Sequence, residues 1–251
     1  MEFNGKILHI RAYHGGLGGA LQYSTLPERY SELGYDIHLL KDCSLVQPFR
    51  NEEIKKLVWG DNPYIKGESN GNWDLGDHPG FIYENKFDDF IKNIEYLSGL
   101  EPKNSLPKIY YKPNKLENIL GLIELSALSH GTNYNIENVK ATVFSLISQN
   151  KNIEFKQVLS VNQSNNIILD GIDTIKINGI FELTDYIHNC KMFISLLSGS
   201  HTLACSIKHF KNDFIQYCLV PEIKYKETMQ SKHFIFPTVN YLPEYQVFKN
   251  G

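Results

Sequence analysis

Lys6-Ile7-Leu8-His9-Ile10-Arg11-Ala12-Tyr13-His14-Gly15-Gly16-Leu17-Gly18-Gly19-Ala20 is the stretch on which the fold turns. Residues 6–13 form a short β-rich run, and a cluster of glycines follows at once. Residues 20–33 then carry apolar side chains at Ala20, Leu21, Leu26, Tyr30 and Leu33, a helical spacing. Gly34 stands where a helix C-terminal glycine belongs, and residues 35–40 (YDIHLL) read as a second strand. Strand, glycine-rich turn, helix, glycine and strand predict a βαβ unit, and therefore a parallel sheet.

Outward from that unit, residues 51–58 read as a helix, 59–66 as strand or loop, and 67–80 as a Gly/Asn/Asp-rich loop. Residues 86–97 read as a helix with Phe87, Phe90, Ile91 and Ile94 on one face. Pro102, Pro107 and Pro113 surround a β-like piece at 108–111, which makes 101–115 the best linker. A second α/β series follows. Strand 118–126 runs into Ser129-His130-Gly131-Thr132, then come helix 136–148, strand 154–160, strand 174–177 and helix 181–189. A buried strand at 191–196, a turn at Ser198-Gly199-Ser200, helix 202–208 and strand 214–220 complete it. The expectation is α/β, with two Rossmann-like domains facing across a cleft, 1–105 and 106–251.

Composition agrees. A chain of 251 residues with 42% hydrophobic content suits two domains with modest cores and excludes collagen, coiled coil and wholesale disorder. A net charge of -3 argues against a constitutive nucleic-acid binder. No apolar run reaches the ~18 residues of a membrane span, and residues 1–6 do not read as a signal peptide. Cys43, Cys190, Cys205 and Cys218 are widely spaced without C-x-x-C, as expected of reduced thiols in a cytoplasmic protein. The histidines include no H-x-x-x-H, so no metal site is expected. Neither a G-x-S-x-G elbow nor a Walker lysine motif is present.

Two turns carry the candidate chemistry. Around Gly16, Leu17, Gly18 and Gly19, the backbone can approach a ligand closely and the following helix offers N–H groups to an anion. The plainer alternative is a tight turn that needs positive φ. Gly16-x-Gly18 is also part of a dinucleotide fingerprint, with Asp42 near the ribose-binding position, although the third small residue falls on Leu21. A nicotinamide-dinucleotide oxidoreductase therefore stands as one alternative. In the second half, hydroxyls and N–H groups at Ser198, Gly199, Ser200, His201 and Thr202 suit a diphosphate, where the alternative is ordinary N-capping. Paired turns in two α/β halves favour a ligand. His130 follows the first strand of the second half, a position that commonly faces such a site.

The same residues carry a family resemblance. Lys6-Ile7-Leu8-His9-Ile10-Arg11, the Gly15–Leu21 turn, Leu26-Pro27 and Gly34-Tyr35-Asp36-Ile37 resemble the opening of heptosyltransferase-like glycosyltransferases (family 9, GT-B fold). Leu183-x-Asp185, Ile187, residues 191–195 and Ser198-Gly199-x-x-x-Leu203-Ala204 resemble the family's second signature. The resemblance implies inverting, metal-independent transfer of a sugar from a nucleotide-diphosphate sugar to a glycan or other hydroxyl acceptor. It places the donor in the C-terminal domain, with phosphates at 198–202 and Asp185 at the family's acidic helix position, and the acceptor near 14–19. No nucleic acid and no membrane span are implied; peripheral membrane association and oligomeric state stay open. The chain is short for such an enzyme, with little sequence after Val239 for the family's returning helix.

Two departures stand out. The family's aspartate, its proposed base, is Gly19 here. The acid of its second signature falls on Leu197 and its histidine on Thr202, with His201 adjacent. His14, Asp77 and Asp74 are the remaining candidates for the base; the two aspartates lie in a polar loop beside Trp73. The missing aspartate also admits a non-catalytic nucleotide- or glycan-binding module.

Overall fold

The computed structural model describes residues 6–10, 16–41, 48–70, 86–116, 121–126, 133–160, 166–211 and 213–245. The chain divides into two compact units, Met1–Lys112 with Ser231–Pro237, and Pro113–Gln230 with Thr238–Gly251. Both are α/β units built on parallel sheets.

The first unit runs β1 (Lys6–Ile10), α1 (Leu17–Leu21), α2 (Leu26–Glu32), β2 (Tyr35–Leu40), α3 (Pro48–Lys55), a π-helical turn (Lys56–Gly60), β3 (Ile65–Ser69) and α4 (Phe90–Leu97). Its sheet has the order β1-β2-β3, with Leu8 opposite Ile37 and Ile10 opposite Leu39, all four buried. The helix expected over 20–33 is broken at 22–25. Pro27 has no N–H and is tolerated only in a first turn, so a new helix begins at Leu26. Gly34 has φ 84, the left-handed conformation that ends a helix. β3 takes residues 67–69 from the expected loop. α4 starts later than expected because Asp89 caps it, accepting from the N–H groups of Ile91 and Lys92. Residues 231–237 belong to this unit, where Phe234 and Phe236 pack their rings on Phe90 of α4.

The proline-rich stretch is bound rather than loose, and 108–111 forms no strand. Buried Glu95 of α4 accepts from Lys103 N (2.6 Å), Asn104 N (3.1 Å) and Asn104 Nδ2 (2.6 Å). Lys108 N donates to Ser24 Oγ at 2.9 Å. These bonds hold 101–108 to the first unit, and the division falls after Lys112 rather than at the expected 105/106.

The second unit runs β4 (Gly121–Glu124), α5 (Ile136–Gln149), β5 (Phe155–Ser160), β6 (Asp173–Ile177), α6 (Ile180–Asn189), β7 (Met192–Leu196), α7 (Gly199–Ile207), β8 (Ile215–Val220), α8 (Glu222–Ser231) and β9 (Asn240–Pro243). Its sheet is parallel throughout, in the order β6-β5-β4-β7-β8-β9. One face packs Ile123, Leu125, Ile194 and Leu196 against Val139, Val143 and Leu146 of α5. Every residue of β4 and β7 is buried, which is why both read as continuous rather than alternating apolar runs. The chain winds outward in both directions from the β4–β7 pair. That pair is the doubly wound sheet's switch point, and crevices outside the carboxyl ends of such strands are where ligands bind.

Candidate functional site

At the carboxyl end of β7, residues 197–198 lead into α7, whose first residue is Gly199. Tyr134 fixes this turn. Its hydroxyl donates to Leu219 O (2.8 Å) and accepts from Leu197 N (3.0 Å). Ser198 stands at the N-cap with extended backbone, but its side chain makes no capping bond, and the first turn of α7 holds no acidic residue. Instead Ser198 Oγ lies 2.7 Å from Ser200 Oγ, and Ser200 Oγ bonds Oε2 of Glu124 at the end of β4. Glu124 Oε1 accepts from Ser126 N (3.2 Å) and from Ser126 Oγ. Burial raises the Glu124 carboxyl above the ordinary glutamate value, against the opposing effect of the serine hydrogen bonds.

The other helix N-termini that follow strands of this unit differ. α5 is capped by the Asn135 side chain, which accepts from Glu137 N and Asn138 N, and Asn135 N itself donates to Glu244 Oε2 at 2.6 Å. Glu244 Oε1 also accepts from Glu222 N at the start of α8 (3.3 Å). α6 carries Glu182 in its first turn, bonded to Asn178 N. The first turns of α5, α6 and α8 therefore each carry an acidic residue of their own, whereas that of α7 carries none and holds N–H groups and hydroxyls suited to an anion, with the Glu124 carboxyl bonded to Ser200 beneath.

Of the residues singled out in sequence, Ser198, Gly199 and Ser200 come together in that turn. His201 and Thr202 do not present their side chains to it. His201 is fully buried, its Nε2 within 2.9 Å of Tyr241 Oη, and burial pulls its pKa down to about 3. Thr202 Oγ1 donates back to Ser198 O at 3.4 Å. Asp185, on α6, accepts from both the backbone and side-chain nitrogens of Asn114 at 2.8 Å, so its carboxylate ties the segment leading to β4. Gly16, Leu17, Gly18 and Gly19 open the five-residue α1, with Gly16 at φ -142; none of these glycines adopts positive φ. Their conformation is thus not the tight left-handed turn, and α1 is a single short turn of helix. His14, Asp74, Asp77 and His130 lie outside the described residues, as does Asp42.

Glu124 and Tyr134 were not singled out from sequence. A signal existed for the first: a lone acid closing an otherwise apolar strand must be either paired or functional. Tyr134 carries no such mark, since its two bonds reach backbone at 197 and 219.

No protein-family model matches the chain, and no curated protein matches it by sequence. Solved structures do share its fold. One is the bacterial iron-containing dodecameric glycosyltransferase TibC from enterotoxigenic E. coli H10407, with TM-score 0.58, 15% identity, and coverage of 98% of this chain and 62% of that one. TibC, described also as a heptosyltransferase, is known in complex with ADP-D-beta-D-heptose. A family 9 glycosyl transferase from Veillonella parvula DSM 2008 matches with TM-score 0.57, 11% identity, and 85% and 79% coverage. E. coli ADP-heptose lps heptosyltransferase II matches with TM-score 0.53, 8% identity, and 85% and 84% coverage. The chain thus spans under two thirds of TibC's length. At these identities the likeness is one of fold, and the fold is that of the GT-B glycosyltransferases.

Proposed function

We propose that this chain binds a nucleoside diphosphate sugar at the β4–β7 switch point and transfers the sugar, with inversion, to a hydroxyl of a glycan-type acceptor. The observation that carries this reading is the uncapped start of α7 at Ser198-Gly199-Ser200, at the one point where the sheet reverses winding. TibC, of the same fold, holds a nucleotide sugar, which supports the ligand class. In the proposed reaction a base takes the acceptor's proton, the acceptor oxygen attacks the anomeric carbon, and the diphosphate leaves with its charge held by the N–H groups of α7. No metal is enlisted. The base is sought among His14, Asp77 and Asp74, with the acceptor beside the first unit's glycine turn.

Calorimetric titration with ADP, UDP, GDP, CDP and their sugars tests the site. Gly199→Asp places a carboxylate against the diphosphate and should weaken binding by about tenfold or more, on the Coulomb energy of two like charges near a protein surface. Absence of binding by the whole panel, or indifference to Gly199→Asp, overturns the proposal. Gly19 favours a second reading, a binding module without transfer. Measuring transfer and donor hydrolysis with and without Gly19→Asp separates the two: activity in the parent chain speaks for the enzyme, and a large gain only in the variant speaks for the module.

A further inference from the structure

The hydroxyl chain at the site has a direction, and Glu124 sets it. With the carboxylate ionised, Ser200 Oγ–H donates to Oε2, leaving Ser200's lone pairs to accept from Ser198 Oγ–H at 2.7 Å. Ser198 then shows only lone pairs to an incoming phosphate, an acceptor facing an acceptor. With a proton on Oε2 the two relay bonds reverse. Oε2–H donates to Ser200 Oγ, Ser200 donates to Ser198, and Ser198 Oγ–H is released outward, while Oε1 still accepts from Ser126. On the nucleotide site proposed above, we propose that Glu124 is a proton-linked positioning residue, whose protonation turns the Ser200–Ser198 relay outward so that Ser198 donates to the ligand's diphosphate.

Several observations support a relay that responds to a proton. Glu124 is 5% exposed, and its position at the carboxyl end of the strand places it under the α7 start. Its register neighbour on β7 is Ser195, so both side chains share one sheet face. Ser195 Oγ is buried with no hydrogen-bond partner among the described residues, a polar atom left at this same point. Among the described residues no cation holds the carboxylate ionised. β7 carries no ionisable side chain. Lys156 of β5, in register with Leu122, lies on the same sheet face, but its Nζ is 3.8 Å from Glu154 Oε1 and forms no ion pair with Glu124. On α7, burial keeps His201 neutral by lowering its pKa and keeps the Cys205 thiol protonated by raising its own. Burial also pushes Glu124 itself toward its protonated form.

ADP titrated into the full chain by calorimetry, at pH 5.5 to 8.5 in buffers of different ionisation enthalpy, tests this; UDP replaces it if the panel above finds UDP bound more tightly. Glu124→Gln mimics the protonated acid, its amide donating to Ser200 while its oxygen accepts from Ser126. Subtracting its profile from that of the parent removes the nucleotide's own titration. The parent should take up close to one more proton than Glu124→Gln on the alkaline side, and its relative affinity should fall about tenfold per pH unit there. Ser198→Ala, a change at the half-buried rim, should abolish the difference in pH profile. Equal profiles and proton counts for parent and Glu124→Gln overturn the relay and leave the nucleotide site standing. Failure of the parent to bind any nucleoside diphosphate at any pH overturns the site reading itself.

Discussion

Gly121→Ala is the sharpest test of how the second unit is packed beneath its site. Gly121 opens β4, in register with Phe155 of β5. A Cβ at this position would lie 2.7 Å from Phe155 Cε1 and 2.8 Å from Ile153 Cγ2, inside the 3.0 Å that real Cβ contacts respect. The backbone at 121 is not left-handed, so the penalty comes from the collision alone. Phe155 is buried on the β4–β5 side and joins the core cluster, so its ring cannot swing into solvent. Overpacking of this kind costs about 1–3 kcal/mol. For a chain of this length each kcal/mol lowers the melting midpoint by about 2–4 °C, which gives an expected fall of about 2–12 °C. Both tryptophans, Trp59 and Trp73, belong to the first unit. Urea unfolding of the second unit should therefore be followed by far-ultraviolet circular dichroism, with tryptophan fluorescence as the internal control. Phe155→Leu in the same chain should recover part of the loss, with a coupling energy on the order of 1 kcal/mol between the two positions. A Gly121→Ala chain as stable as the parent, or strictly additive effects in the double variant, would refute the packing described for β4.

Buried ionisable groups predict two opposed pH dependences. His201 has its folded pKa lowered to about 3 from an ordinary 6.5, so the unfolded chain binds the extra proton and stability is lost as pH falls through that window; His201→Gln should flatten the acid limb of a urea series. Glu124 has its folded pKa raised, so the folded chain binds the extra proton and stability declines as pH rises from the ordinary glutamate range through the folded value; Glu124→Gln should remove that decline, and an unchanged slope would count against burial as its cause. In the first unit, Glu95→Ala leaves the nitrogens of Lys103 and Asn104 without their acceptor and should cost about 2–4 kcal/mol, read by tryptophan fluorescence in guanidinium; a cost below about 1 kcal/mol would show that 101–108 is held by other contacts.

Much of the second unit was legible because its strands and helices keep clean periods. The runs at 191–196 and 214–220 are predominantly apolar, and α5 and α6 repeat their apolar residues at helical spacing, so each was placed to within a few residues. α8 and β9 went unread for a physical reason: no residue of α8 is buried and β9 is only half buried at the sheet's edge, so neither carries a hydrophobic period. Proline misled in two ways. Pro27 split a helix whose apolar spacing continues across it, and Pro102 and Pro107 suggested a linker where Glu95 supplies the bonds. At the site, the 198–200 turn was visible because glycine between two serines after a buried strand has few other uses. His201 looked like a ligand contact because a sequence shows a histidine in a turn but not the direction of its ring, which packs on Tyr241. Glu124 stood out only as a lone acid ending an apolar strand, and its link to the site was not legible, since Ser200 meets it only once β4 and β7 are side by side.

The most direct measurement is a crystal structure of the chain with a nucleoside diphosphate bound. It should show the phosphates within hydrogen-bond distance of the backbone N–H groups of Gly199 and Ser200, with Ser198 Oγ on a phosphate oxygen. Phosphates bound instead at the glycine turn of α1, or an α7 start that stays empty at saturating nucleotide, would contradict the assignment of the donor site to the β4–β7 switch point.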